Sequence, residues 1–169
     1  MDGLHPETRA LAGRLRLAPH PEGGFYRETW RSPLRVATPR GERSALTVID
    51  YLLPSGAFSA FHRVHADEVW HHAGGDPVEI HVLTPSGAHE MHRVGGSGTA
   101  VAIHHVVVPA GHWQAARSMG RRHALVNCTV GPGFDFADFE MAREEDLLRL
   151  RPDLASLIRG LCRPAPAPR

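Results

Sequence analysis

The sequence predicts an all-β fold, a sandwich or closed barrel of short strands with helices at the two ends of the chain. Apolar runs rich in Val, Ile, Leu, Tyr and Trp recur from Gly24 to Val130, turn residues (Gly, Pro, Ser and Asp) separate them, and no helical pattern intervenes. With 169 residues and 42% hydrophobic content, the chain makes one domain, 1–162, which buries roughly 70% of its unfolded surface. The tail 163–169, RPAPAPR, has the Pro/Ala composition of a disordered segment.

A short amphipathic helix opens the domain over Pro6 to Leu15. Ala10, Leu11 and Leu15 fall near helical spacing, Pro6 is tolerated in the first turn and Glu7 lies beside it, so the helix is expected to cover one end of the barrel. Strands are expected at Gly24 to Trp30, Ala45 to Leu53, Ser59 to Arg63, Glu68 to His72, Val78 to Leu83, His89 to Val94, Val101 to Val108, Trp113 to Arg117 and Ala124 to Val130. Helical patterning returns at Arg143 to Leu150 and at Pro152 to Ile158, where Pro152 breaks the pattern and Gly160 terminates it.

Composition excludes several classes of function. A net charge of +1 gives no electrostatic reason to expect nucleic acid as a partner. Every basic residue is Arg, so Schiff-base and lysine-dependent pyridoxal phosphate chemistry is excluded. No apolar run approaches the ~20 residues of a membrane span, and MDGLHPETRALAG lacks the order of a secretory signal. Cys128 and Cys162 are expected to stay unpaired in reducing surroundings, and a cytoplasmic protein is the expectation.

The chemistry concentrates in two segments, FHRVHADEVWHHAGGD (Phe61 to Asp76) and VPAGHWQAA (Val108 to Ala116). Strand side chains alternate between faces, so His71 and His72 cannot both point inward, and His65 is expected to lie off the face that carries His62. Glu68 shares a face with Trp70 and His72. A site drawing on these faces would assemble His62, Glu68, His72 and Gln114, which is chemically adequate for a divalent ion such as Zn, Fe, Ni or Mn. The alternative is a metal-free site with His72 as a pocket or core histidine.

The order of residues in these segments resembles the two sequence boxes of the cupin superfamily: Gly56, five residues, His62, then Glu68, six residues, Gly75, and later Pro109-x-Gly111-x-x-Gln114. Val64 stands where the cupin pattern has its second His, and Gln114 stands where it has its last. A narrower resemblance runs through HPEGGFYRETWRS (His20 to Ser32), Ala45 to Asp76, VPAGHWQAA and LVNCTVGPGFDFADFEM (Leu125 to Met141). These strings are similar to the cupin_5 family, formerly the domain of unknown function DUF985. The sequence departs from that family's pattern at His65 and His72. The resemblance implies a double-stranded β-helix, an RmlC-like jelly roll similar to the nucleotide-sugar 3,5-epimerases, and a homodimer; it implies no reaction, because fold membership supplies none. The extended segment around Phe25 to Trp30 is apolar enough to cover a sheet edge of a partner subunit.

Within such a barrel His62 and Glu68 are the candidate base and acid, and Trp70, His72, Gln114 and Asp135 the candidate substrate contacts, with Asp135 equally able to cap a turn. These groups suit an isomerase or epimerase that moves protons beside a carbonyl of a sugar-like or carboxylated metabolite. With a metal held by His62, Glu68, His72 and Gln114, the same site would be a dioxygenase or hydrolase. Without a reactive role it would be a metabolite sensor.

Overall fold

The computed structural model describes residues 3–96 and 103–163. In chain order the elements are α1 (Pro6–Arg14), β1 (Ala18–Pro19), β2 (Phe25–Arg31), β3 (Arg35–Thr38), β4 (Gly41–Ser44), β5 (Thr47–Pro54), β6 (Phe58–Val64), β7 (Asp67–Gly75), β8 (Val78–Leu83), β9 (His89–Val94), β10 (His105–Val108), β11 (Trp113–Ser118), β12 (His123–Gly131), β13 (Phe139–Met141), α2 (Glu144–Leu150) and α3 (Ala155–Leu161). Short 3-10 turns precede β13 and α3.

Two antiparallel sheets face each other. One has the order β1-β2-β5-β12-β7-β10 and the other β13-β6-β11-β8-β9, with β3-β4 a separate hairpin. From β5 to β8, and again from β9 to β13, successive strands alternate between the sheets, as in a jelly roll. Inward-facing residues of both sheets build the core: Tyr51, Trp70, Val126 and Cys128 from the first meet Ile80, Val82 and Ala116 from the second. Burying each large side chain stabilises the fold by about 1.5–3 kcal/mol.

The outer faces are covered differently. Phe61, Leu83 and Ala115 point away from the barrel and are buried by Leu147 of α2 and by Ile158 and Leu161 of α3. The first helix was expected at one end of the barrel and instead packs on the outer face of the six-stranded sheet. Leu52, which alternates outward between Tyr51 and Leu53, forms an apolar patch there with Phe25 and Leu125, and Ala12 and Leu17 cover it. Thr8 ties the helix down through its hydroxyl, 3.0 Å from His123 Nδ1.

The β3-β4 hairpin has no counterpart among the expected strands. Its strands are short, with Val36 and Ala37 their only apolar residues, and Arg35–Glu42 and Arg43–Asp138 ion pairs hold it, so it carries none of the apolar alternation by which strands are read. Of the strand expected at Val101 to Val108, residues 101 and 102 lie outside the described residues, and the ladder runs from His105. Of the tail, 164–169 also lie outside them, while the Arg163 guanidinium sits over the Phe58 ring at 5.8 Å. Among the described residues no helix is long and apolar enough to cross a membrane.

Candidate active site

His62 lies on β6, opposite Gln114 of β11, and its side chain is 2% exposed. Its Nδ1 is 2.9 Å from the Ala60 carbonyl oxygen, which only accepts, so Nδ1 carries the hydrogen and Nε2 of the neutral ring carries a lone pair. That lone pair faces Glu22 Oε2 at 3.3 Å. Burial lowers the His62 pKa, opposed by the charge of Glu68 and by the Ala60 hydrogen bond.

Glu22 stands in the turn between β1 and β2, and this turn brings a carboxyl into the barrel. Gly23 and Gly24 have φ of +123° and +63°, and a Cβ at Gly23 would lie 2.1 Å from the Phe58 carbonyl oxygen, so only glycine permits the approach. The Glu22 backbone carbonyl accepts from Ala60 N at 2.8 Å, Tyr51 OH donates to the Gly23 carbonyl at 2.8 Å and Ser59 Oγ donates to Glu22 Oε1 at 2.9 Å. The Glu22 N–H donates to His20 Nδ1, which leaves that nitrogen no hydrogen of its own, 3.4 Å from Glu22 Oε2. Burial raises the Glu22 pKa, with His20 the largest opposing influence.

Glu68 enters from β7 in the opposite sheet, and burial raises its pKa, opposed chiefly by His62. Gln114 Nε2 donates to Glu68 Oε2 at 2.5 Å. Burial holds the Cys128 pKa well above the usual thiol range, so it remains an un-ionised thiol.

These groups form the inner wall of a cavity of about 510 Å³. Its mouth is lined by exposed residues, among them Arg16, Glu28, Arg31, Asp135 and Phe136. Phe139 stacks on the His62 ring at 5.3 Å and 28°, and Phe134, Phe136 and Phe139 meet edge to face at 5.0–6.1 Å, closing one side with aromatic surface.

Of the residues singled out from the sequence, His62 and Glu68 are on the cavity wall and Asp135 is at its mouth, where its Oδ1 also accepts from Ala137 N as a cap. Trp70, His72 and Gln114 are corrected. Trp70, 1% exposed, belongs to the core between the sheets, and its indole N–H donates to Gln114 Oε1 at 2.8 Å. Gln114 is thereby bonded at both ends of its amide, to Trp70 and to Glu68, and orients the barrel's own side chains. His72 shares a strand face with Glu68, but four residues of strand separate them by about 13 Å. Its Nε2 bonds the Asp76 carbonyl at 3.1 Å instead.

The metal set His62, Glu68, His72 and Gln114 is therefore not assembled. Among the described residues no group of three or more His, Cys, Asp and Glu side chains is arranged to hold a metal ion. The donor chemistry does not fit the ion that the two sequence boxes suggested, because Gln114 Oε1 is spent on Trp70 and His72 is remote.

Sequence reasoning missed His20 and Glu22. Glu22 carries a readable signal, a carboxylate held between Pro21 and Gly23-Gly24.

Comparison with known proteins places this geometry. A family model described as Cupin_5, Cupin superfamily (DUF985), matches residues 9–142. The uncharacterized protein YML079W of Saccharomyces cerevisiae is 27% identical over 155 residues, which cover 82% of this chain and 77% of that protein. The structure of a hypothetical protein from Leishmania major is similar at a TM-score of 0.84 and 30% identity, covering 92% of this chain and 98% of that one. The structure of protein SO0799 from Shewanella oneidensis is similar at a TM-score of 0.83 and 32% identity, covering 92% and 97%. These relatives bring a fold and a family, and no reaction.

Proposed function

The chain belongs to the Cupin_5 family of the cupin superfamily, and from that membership and its cavity we propose that it is a small-molecule-binding cupin that catalyses proton transfer, as an isomerase or epimerase does, on a sugar-like or carboxylated metabolite. The observation that carries this reading is the 3.3 Å approach of Glu22 Oε2 to His62 Nε2 on the wall of the cavity. Burial favours the acid form of Glu22 as it does that of Glu68, so the pair accepts in the state in which Glu22 has given up its proton: two lone pairs then face each other, and gaining a proton removes that repulsion. The pair is therefore a proton acceptor, and the fixed Nδ1–H···O bond to Ala60 keeps Nε2 directed at the cavity. Glu68, whose raised pKa favours its acid form, is the matching donor.

In this reading a C–H beside a substrate carbonyl gives its proton to the Glu22–His62 pair while Glu68 protonates the carbonyl oxygen. Return of a proton to carbon, and of the oxygen-bound proton to Glu68, completes an isomerisation with no net gain or loss of atoms. The aromatic side formed by Phe134, Phe136 and Phe139 supports a ligand with an apolar or ring face.

The test is exchange of substrate C–H for deuterium in D2O, followed by proton NMR across aldoses, ketoses and hydroxy acids. His62→Ala should slow exchange on the order of 10²- to 10⁴-fold with a native circular dichroism spectrum. Undiminished exchange in that variant, or a ligand that binds in the cavity and never exchanges, refutes the reading.

We propose further that the protein is a homodimer. On β2, β1 pairs only with Phe25 and Tyr26, so among the described residues the edge from Arg27 onward has no strand beside it, and Trp30 and Leu34 are 57% and 64% exposed. The two unpaired, buried cysteines support a cytoplasmic location.

A further inference from the structure

Three arginines line the cavity beside the carboxyls of Glu22, Glu28, Glu68 and Asp135, and they differ in what they are paired with. Arg31 is held by two hydrogen bonds to Glu28, at 2.9 and 2.7 Å, and donates to the Phe134 carbonyl at 3.1 Å. Arg27 pairs with Asp50 at 3.1 Å. Arg16 lines the same cavity, is exposed, and has no hydrogen bond or ion pair from its guanidinium to any of the described residues.

Its backbone sets it apart as well. Arg16 follows α1 at φ +53°, the only positive φ of a non-glycine among the described residues. Arg16 N bonds the Gly13 carbonyl at 3.1 Å, Leu17 N bonds the Ala12 carbonyl at 2.9 Å, and Leu17 packs in one apolar cluster with Ala12. This is the Schellman ending of a helix, in which the left-handed position usually holds Gly. A cation at a helix C-terminus gains back much of what the left-handed conformation costs, so stability alone neither demands nor forbids arginine here. The position of the side chain is what distinguishes it: a five-donor fork on a cavity wall with no acceptor among the described residues.

We infer that Arg16 is the anion-binding residue of this cavity, so that the ligand carries an oxyanion, a phosphate or a carboxylate, held by the Arg16 guanidinium at the mouth while its other end reaches His62 and Glu68. This rests on the proposed function only in taking the same cavity as the substrate site. A planar guanidinium presents parallel N–H donors that match two oxygens of either anion. A cation at the mouth and proton-transfer groups at the inner wall favour a ligand with an anionic end and a reacting end over a neutral sugar.

Isothermal titration of the whole protein with inorganic phosphate and, separately, with malonate tests the inference, and the tighter of the two identifies the anion. Saturable binding to the parent is expected. Arg16→Gly should weaken it by about tenfold to hundredfold, the range for one charge-assisted contact, while the melting temperature stays near the parent's because glycine suits the left-handed turn. Arg16→Lys should retain part of the affinity. No saturable binding in the parent, or the same affinity in Arg16→Gly, overturns the inference. Arg16-dependent binding without any deuterium exchange would sink the proton-transfer reading and leave this one standing; exchange with Arg16-independent binding does the reverse.

Discussion

Glu22 Oε2 meets His62 Nε2 at 3.3 Å because both residues are fastened to the same short piece of β6. Ser59 bonds the Glu22 side chain, Ala60 N bonds its backbone carbonyl, and the Ala60 carbonyl fixes the His62 tautomer. The pair is thus set before any ligand arrives, and it costs no reorganisation at the moment of reaction.

Replacing the carboxyl alone isolates its part. In Glu22→Gln the amide oxygen still accepts from Ser59 and the amide N–H2 donates to His62 Nε2, so the fold is kept while the base is occupied by a proton it cannot pass on. Deuterium exchange should fall on the order of 10²- to 10⁴-fold with a native circular dichroism spectrum. Parent-like exchange in this variant removes Glu22 from the mechanism.

Glu68 makes a prediction about pH. Burial raises its pKa above 4.5, so the folded protein binds more protons here than the unfolded chain does. The stability it contributes is fully present below pH 4.5 and is lost as pH rises through its folded pKa. Glu68→Gln keeps the contact with Gln114 and removes the buried charge, so the variant should be more stable than the parent at high pH, with the gap closing as pH falls towards 4.5. Denaturant titrations at several pH values measure this; a gap independent of pH contradicts the assignment.

The residues most legible in the sequence were those whose position follows from strand periodicity. The boundaries of β8 and β9 are as expected, and His62 and Glu68 reach one cavity from opposite sheets. What failed was distance along a strand. Trp70 and His72 share a face with Glu68, yet each step of two residues advances about 7 Å, enough to pass from cavity to core to the far end. Gln114 failed for another reason: occupancy of its two amide ends depends on Trp70 and Glu68 in the facing sheet, which no local pattern encodes. Glu22 was hidden because it reaches the site from a turn, where periodicity carries no signal.

Gln114 should behave as a bridge between the sheets. Gln114→Leu leaves the Trp70 indole N–H and the Glu68 carboxyl without their partner, each in a buried setting, and a loss of about 2–4 kcal/mol follows from the cost of unsatisfied polar groups. Urea denaturation reads it directly. A midpoint within error of the parent's would show that neither contact matters to the fold.

The homodimer has its own test at the uncovered half of β2. Trp30, 57% exposed, and Leu34, 64% exposed, flank a strand edge that beyond Tyr26 has no neighbouring strand among the described residues. Pairing with a second copy would bury both side chains and satisfy the edge, whereas a charge placed there would be desolvated on association. Light scattering at micromolar concentration should give the dimer mass for the parent and the monomer mass for Trp30→Glu, with circular dichroism unchanged because Trp30 contributes nothing to the buried core. A monomer mass for the parent, or a dimer that survives Trp30→Glu combined with Leu34→Glu, places the interface elsewhere or removes it.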